Sequence, residues 1–184
     1  MTTRKKAALH NLGCKVNAYE TDAMQQLLEE NGYEIVPFTE CADVYVINTC
    51  SVTNMADRKS RQMIHRARKK NPQAIVVAAG CYVQTSTEEV IEDLAVDIVI
   101  GNNQKNHLVD CIADFESKNH PICAENAEQG TQEKNTEEKI VDCIDINKDE
   151  QEYEYFLVNK TAEHTRAFIK VQDGCNQFCS YCII

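Results

Sequence analysis

Between residues 7 and 116, short apolar runs alternate with longer stretches in which apolar positions recur every three or four residues. The short runs predict strands and the recurring positions predict amphipathic helices. Ala7-Ala8-Leu9-His10 predicts the first strand. Asn17, with Glu20 three positions on, resembles a capping box opening a helix that carries Ala23, Met24, Leu27 and Leu28 on one face and ends at Gly32. Asp43–Asn48 predicts the second strand, and a helix follows from Asn54 to Lys70, stopped by Asn71-Pro72. Ala74–Ala79 is a continuous apolar run of the kind buried on both faces of a parallel sheet. Thr85 with Glu88 predicts a capped helix through Leu94, Asp97–Ile100 a fourth strand, and Gln104–Glu116 a last helix. Strand and helix in strict alternation imply an α/β domain over residues 1–116, a doubly wound parallel sheet with helices on both faces.

After this the pattern lapses. Residues 117–160 are rich in Glu, Asn and Lys and hold no long apolar run, which predicts an acidic linker with short strands at Lys139–Ile144 and Glu154–Val158. The linker also accounts for the charge of the chain. Of the formal net charge of −10, residues 124–154 carry −8, from eleven Asp or Glu against three Lys. The remainder is near neutral, so overall acidity does not exclude a polyanionic partner. No run approaches a membrane span, and the basic opening Met1–Lys6 is no apolar signal segment.

Ten cysteines in such a chain point to a reducing cytoplasm and to metal ligation in place of disulfides. Three of them, Cys175, Cys179 and Cys182, stand in the spacing C-x3-C-x2-C. Thiolates so close suit iron-sulfur chemistry, and three of them leave one iron of a four-iron cluster without a local ligand. A half zinc knuckle, or three buried thiols, are the alternatives. Cys14, Cys50 and Cys81 each follow a predicted strand, so the expected topology gathers them at the carboxyl edge of the sheet, where open α/β folds bind ligands. Gly13 and Gly80 beside them let the backbone approach a bulky group. Such cysteines either hold a second cluster or serve as small buried hydrophobes. Cys41 and Cys111 are expected to be small hydrophobes, and Cys123 and Cys143 flank the acidic segment.

One basic run stands out, Arg58–Lys70, with seven Lys or Arg and no acid in thirteen residues. On the helix after Cys50 it is either a phosphate-contacting face for RNA, through Arg58, Lys59, Arg61, Arg66, Arg68, Lys69 and Lys70, or a solvated face whose cationic end complements the helix dipole. His65 on that helix is expected at the surface.

The stretches Asn11–Asn17, Tyr19–Thr21, Ala42–Asn54, Gly80-Cys81-Tyr82 and His164–Cys175 resemble the radical S-adenosylmethionine methylthiotransferases. The resemblance implies an amino-terminal domain with one 4Fe-4S cluster, a radical S-adenosylmethionine barrel with another, and a carboxy-terminal RNA-binding TRAM domain. It assigns Cys14, Cys50 and Cys81 to the first cluster. It assigns Cys175, Cys179 and Cys182 to the second, which binds S-adenosylmethionine. Arg166–Val171 becomes the first barrel strand, within a truncated barrel start at 161–184. The implied chemistry is cleavage of S-adenosylmethionine to a radical that activates an aromatic carbon, and delivery of a methylated sulfur from the other cluster. The implied partners are tRNA, a low-potential electron donor and a sulfur donor.

Gly13–Asn17 and Val52–Gln62 resemble most the branch that converts N6-threonylcarbamoyladenosine, next to the tRNA anticodon, to its 2-methylthio derivative. The isopentenyladenosine branch usually has Gln-Met after the first cysteine and the ribosomal-protein branch Pro-Lys; neither pair is here. Most of such a barrel and the TRAM domain are missing from the 184 residues, so the chain is expected to be a fragment, inactive alone. A ferredoxin-like carrier and a zinc-stabilised RNA-binding module are the rival classes.

Overall fold

The computed structural model describes residues 4–119, 138–145, 153–156, 158, 168–172, 175, 177 and 179–181. Among the described residues, six strands form one sheet: β1 (Lys6–Asn11), β2 (Glu34–Ile35), β3 (Val44–Thr49), β4 (Ile75–Gly80), β5 (Ile98–Ile100) and β6 (Ile140–Asp142). Their order is β2-β1-β3-β4-β5-β6, and every pair is parallel. Five helices flank it: α1 (Lys15–Glu30), α2 (Asn54–Lys70), α3 (Cys81–Thr85), α4 (Thr87–Glu92) and α5 (Leu108–Asn119).

The strand sequences are apolar throughout because both faces are covered. On one face Ala8, Tyr45, Ile47, Val76, Ala78 and Val99 pack with Ile64 and Ala67 of α2, Tyr82 and Val83 of α3 and Val90 of α4. Residues of the opposite parity, among them Ala7, Val44, Val46, Val77 and Ile98, pack with Met24 and Leu28 of α1 and Leu108, Ile112 and Phe115 of α5. The period of two along each strand assigns residues to faces, and each fully buried Val, Leu or Ile contributes about 1.5–3 kcal/mol. The expected doubly wound α/β sheet is thus the fold. Its strand order switches sides between β1 and β3, since β2 lies on one side of β1 and β3 on the other.

Several local expectations give way to tertiary demands. Helix α1 begins at Lys15 with Cys14 as its N-cap, and no side chain caps it. The expected box fails because Asn17 and Glu20 are buried and bonded elsewhere. Likewise no side chain caps α4, whose N-cap is Ser86; the Thr85 hydroxyl donates to the Cys81 and Tyr82 carbonyls within α3. The last helix is a 3-10 turn, Lys105–His107, followed by α5.

Strand β6 falls inside the stretch Lys139–Ile144 and pairs with β5 at the edge of the sheet. Residues 153–156 form no strand; Phe156 is buried and its carbonyl accepts from the Tyr19 hydroxyl at 2.9 Å. Residues 168–172 also form no strand, against the expectation for Arg166–Val171, because no described strand lies beside them to complete a ladder. Residues 166 and 167 lie outside the described residues.

Candidate metal centre at the carboxyl edge of the sheet

The strand order switches sides between β1 and β3, and the carboxyl ends of the strands at such a switch point are where doubly wound folds bind ligands. Three of the cysteines are there. Asn11 pairs with Asn48, so the turn carrying Cys14 leaves β1 beside the end of β3. Thr49 pairs with Gly80, and Cys50 and Cys81 are the next residues on those two adjacent strands.

The backbone of this edge is tied together by buried amides. The Asn17 side chain donates to the Leu12 carbonyl at 2.7 Å and the Thr49 carbonyl at 2.8 Å, joining the exits of β1 and β3. Its Oδ1 faces the Cys14 sulfur at 3.8 Å. Asn48 donates to the Asn17 carbonyl and to the Thr21 hydroxyl, and Thr49 donates to the Ala79 carbonyl at 2.6 Å. Ser60 of α2 accepts from the Cys50 amide and donates to the Cys50 carbonyl, both at 3.3 Å. The residues that carry the thiols are therefore held by their neighbours' side chains, independently of any ligand.

Two glycines bring the thiols close to backbone. Gly13 has φ +106°, and a Cβ there would stand 2.7 Å from the Cys50 sulfur; Gly80 has φ +96°, and its Cβ would stand 2.5 Å from Asn48 Oδ1 and 2.6 Å from the Thr49 carbonyl. Only a residue without a side chain fits either position.

The three thiols differ in exposure: Cys14 is exposed, Cys50 buried and Cys81 half-buried. Burial pushes the Cys81 thiol above its ordinary value, while Lys105 and the Asn102 side chain act in the opposite direction. Lys105 is 1% exposed and its ammonium meets Glu20 at 3.0 Å and Asn102 Oδ1 at 3.0 Å. Sequence reasoning passed over Lys105, since a lone lysine opening a helical turn carries no motif. It read Glu20 as a capping residue and as part of the family-like stretch Tyr19–Thr21, without an ion-pair role.

Among the described residues, no three His, Cys, Asp or Glu side chains converge as ligands of a single ion. A cluster asks for something different, since each thiolate binds its own iron and the sulfurs need not meet at one point. Three thiols on adjacent strand ends fit that requirement by donor type and placement. Of the second trio, Cys175 and Cys179 are exposed and Cys182 lies outside the described residues, as does Cys123. Their thiol donors fit a cluster by chemistry and spacing.

Of the other cysteines, Cys111 is buried on α5, where burial and nearby Asp142 push its thiol up to about 11. Cys41 is exposed before β3, contrary to its expected role as a buried hydrophobe; the buried residue of this stretch is Tyr45, whose hydroxyl accepts from the Ala42 amide and donates to the Glu40 carbonyl on either side of Cys41. Cys143, just past β6, lies 3.6 Å from the Thr87 hydroxyl and 3.7 Å from Gln84 Oε1.

The basic helix α2 begins beside Cys50, its N-cap Thr53 accepting from the Ala56 amide. Arg58, Lys59, Arg61, Arg66 and Lys69 are exposed; Arg68 and Lys70 are partly buried. Arg68 bonds the fold itself: it donates to the Pro72 and Ala74 carbonyls at 3.0 and 2.7 Å and pairs with Asp97. Arg61 lies over the Tyr82 ring and donates to its hydroxyl at 3.1 Å, tying α2 to α3. His65 is at the surface, 3.0 Å from Asp93.

The family model described as "Uncharacterized protein family UPF0004" matches residues 6–101, more than half the chain and all three strand-end cysteines. The chain is 42% identical over 96% of its length to the threonylcarbamoyladenosine tRNA methylthiotransferase MtaB of Bacillus subtilis, and 38% identical over 97% to that of Aquifex aeolicus. It is 28% identical over 98% of its length to a tRNA-2-methylthio-N(6)-dimethylallyladenosine synthase of Salmonella paratyphi A. It spans 35%, 39% and 35% of these relatives, so about a third of their length.

Proposed function

The chain belongs to the UPF0004 family, and on that premise we propose that it serves a cytoplasmic tRNA methylthiotransferase acting on N6-threonylcarbamoyladenosine. The observation that carries the proposal is the set Cys14, Cys50 and Cys81 at the ends of β1, β3 and β4, beside a basic helix. The higher identity to the threonylcarbamoyladenosine enzymes than to the dimethylallyladenosine one supports this branch.

In this reading Cys14, Cys50 and Cys81 hold one 4Fe-4S cluster, and Cys175, Cys179 and Cys182 hold another that binds S-adenosylmethionine. When bound, these groups supply radical formation from S-adenosylmethionine and a place for the sulfur that is transferred. The chain's own residues do the rest. Asn17, Asn48 and Ser60 fix the strand ends that carry the thiols. Lys105 offsets the cost of thiolate charge at Cys81. The exposed cations of α2 meet tRNA phosphates, which position the substrate without specifying the base. An electron donor and a sulfur donor complete the reaction. No helix of the described residues is long and apolar enough to cross a membrane.

The test is mass spectrometry of tRNA nucleosides from cells lacking the gene. The 2-methylthio form of threonylcarbamoyladenosine should vanish and its precursor accumulate. Loss of the isopentenyl counterpart instead would move the protein to the neighbouring branch, and no change in either would reject tRNA as substrate.

A further inference from the structure

Four buried charges lie between the first cysteine site and the polypeptide that leads into Cys175. Glu20, with 6% of its side chain exposed, receives Lys105 on Oε2 at 3.0 Å and Lys170 on Oε1 at 3.1 Å; those side chains are 1% and 2% exposed. Glu154, 5% exposed, accepts the Asn106 amide on Oε1 at 2.9 Å, and its Oε2 is buried without a partner. Burial pushes the Glu154 carboxyl above its ordinary value, while the Asn106 amide, Lys105 and Lys170 act in the opposite direction and favour its charged form. The set contains two acids and two bases, one pair from the sheet domain and one from the downstream segment.

We propose that Glu20, Lys105, Glu154 and Lys170 form a charge latch that fixes the segment leading into Cys175 against the first cysteine site, with Glu20 as its joint. Glu20 lies six residues beyond Cys14, roughly 9 Å along the helix. Lys170 lies five residues before Cys175, a reach of at most about 17 Å. The latch therefore bounds the separation of the two cysteine sets. One further contact closes the same seam, the Tyr19 hydroxyl donating to the Phe156 carbonyl. Within the downstream segment, the Tyr153 hydroxyl donates to the Lys170 carbonyl at 2.7 Å, with the Lys170 ammonium 5.6 Å from its ring.

Adhesion alone does not call for such a set. Well-packed apolar side chains hold a seam at least as strongly as buried charges, which must first be stripped of water. What charges add is a single register, since Glu20 must meet both lysines or leave them uncompensated.

The test is amide hydrogen exchange on the 184-residue chain and on Lys170→Met, Glu154→Gln and the double variant. Each single change leaves one charge in excess. Exchange at residues 153–158 and 168–172 should then rise at least about tenfold, with β3 and β4 still protected. The double variant is again neutral and should regain most of the protection. Single variants that exchange like the parent, or a double variant looser than either single one, would overturn the latch. The proposal stands on the fold alone and the readout needs neither metal nor RNA, so its failure leaves the functional reading untouched, and the converse also holds.

Discussion

Gly13 lies directly against Cys50: a methyl group on Gly13 would stand 2.7 Å from both the Cβ and the sulfur of that cysteine. The contact joins the exit of β1 to the exit of β3 at the carboxyl edge of the sheet, and Gly13 makes it with φ +106°. Gly13→Ala incurs both the strain of a left-handed backbone and an overpacked contact, roughly 3 kcal/mol together. We expect urea denaturation to show that loss, and iron uptake at the strand-end cysteines to fall with it. Wild-type stability and uptake in the variant would mean that the Cys50 thiol is not confined as described.

The placement of Cys14, Cys50 and Cys81 was legible because parallel strands all end on one edge, so "the residue just after a strand" is a position in space as well as in sequence. That both faces are covered was legible from the continuous apolar run Ala74–Ala79, but which residue faces which helix was not, since such a run carries no alternation. Long-range pairing was not. Asn17 and Glu20 look like a local box, yet Asn17 bonds Thr49 thirty-two residues away and Glu20 bonds Lys170 at a separation of 150. Lys105 was invisible for the same reason, its meaning arising from Cys81 and Glu20. The two-residue β2 went unpredicted because its pairing with Lys6 and Ala7 defines it, and its length leaves no pattern.

The basic helix should divide under mutation into cations that bind outward and those that hold the fold, Arg61 and above all Arg68. Lys59, Arg66 and Lys69 are exposed, so replacing all three by Gln should leave stability near wild type. It should also reduce the salt slope of tRNA binding by roughly 2–3 units if each meets a phosphate. Arg68→Ala strands Asp97 and two carbonyls and should cost roughly 3 kcal/mol. Binding isotherms at several salt concentrations, beside thermal melts, check both. An unchanged slope in the triple variant would remove α2 from the RNA interface.

Cys111 gives the domain an alkaline limit. Its thiol is raised from the ordinary 9.0 to about 11, so the folded state keeps a proton that the unfolded chain releases. The neutral thiol therefore stabilises fully below pH 9.0, and that contribution falls as pH rises toward 11. Denaturation from pH 8 to 11 should show a shallower loss in Cys111→Ala than in the parent, although the variant starts lower because of its cavity. Equal slopes would show that Cys111 does not titrate differently on unfolding.

The two cysteine sets should count iron independently, because they lie on separate stretches of chain and share no ligand. Anaerobic reconstitution of the 184-residue chain with iron and sulfide should give about eight irons per chain, as expected for two 4Fe-4S clusters. Replacing Cys14, Cys50 and Cys81 together by Ala should leave about four, as should replacing Cys175, Cys179 and Cys182, and both sets together should leave none. Cys41 is exposed before β3, away from the strand ends, Cys111 is buried and neutral on α5, and Cys143 is occupied with Gln84 and Thr87, so replacing these by Ser should change nothing in the count. Buried Cys50 needs a separate control, since its loss can act through packing: Cys50→Ser preserves the volume and should still lower iron while the fold, read by circular dichroism, persists. A colourless chain that takes up zinc in place of iron would transfer the protein to the zinc-stabilised class. Loss of all iron from either triple variant alone would mean that the sets assemble one shared centre.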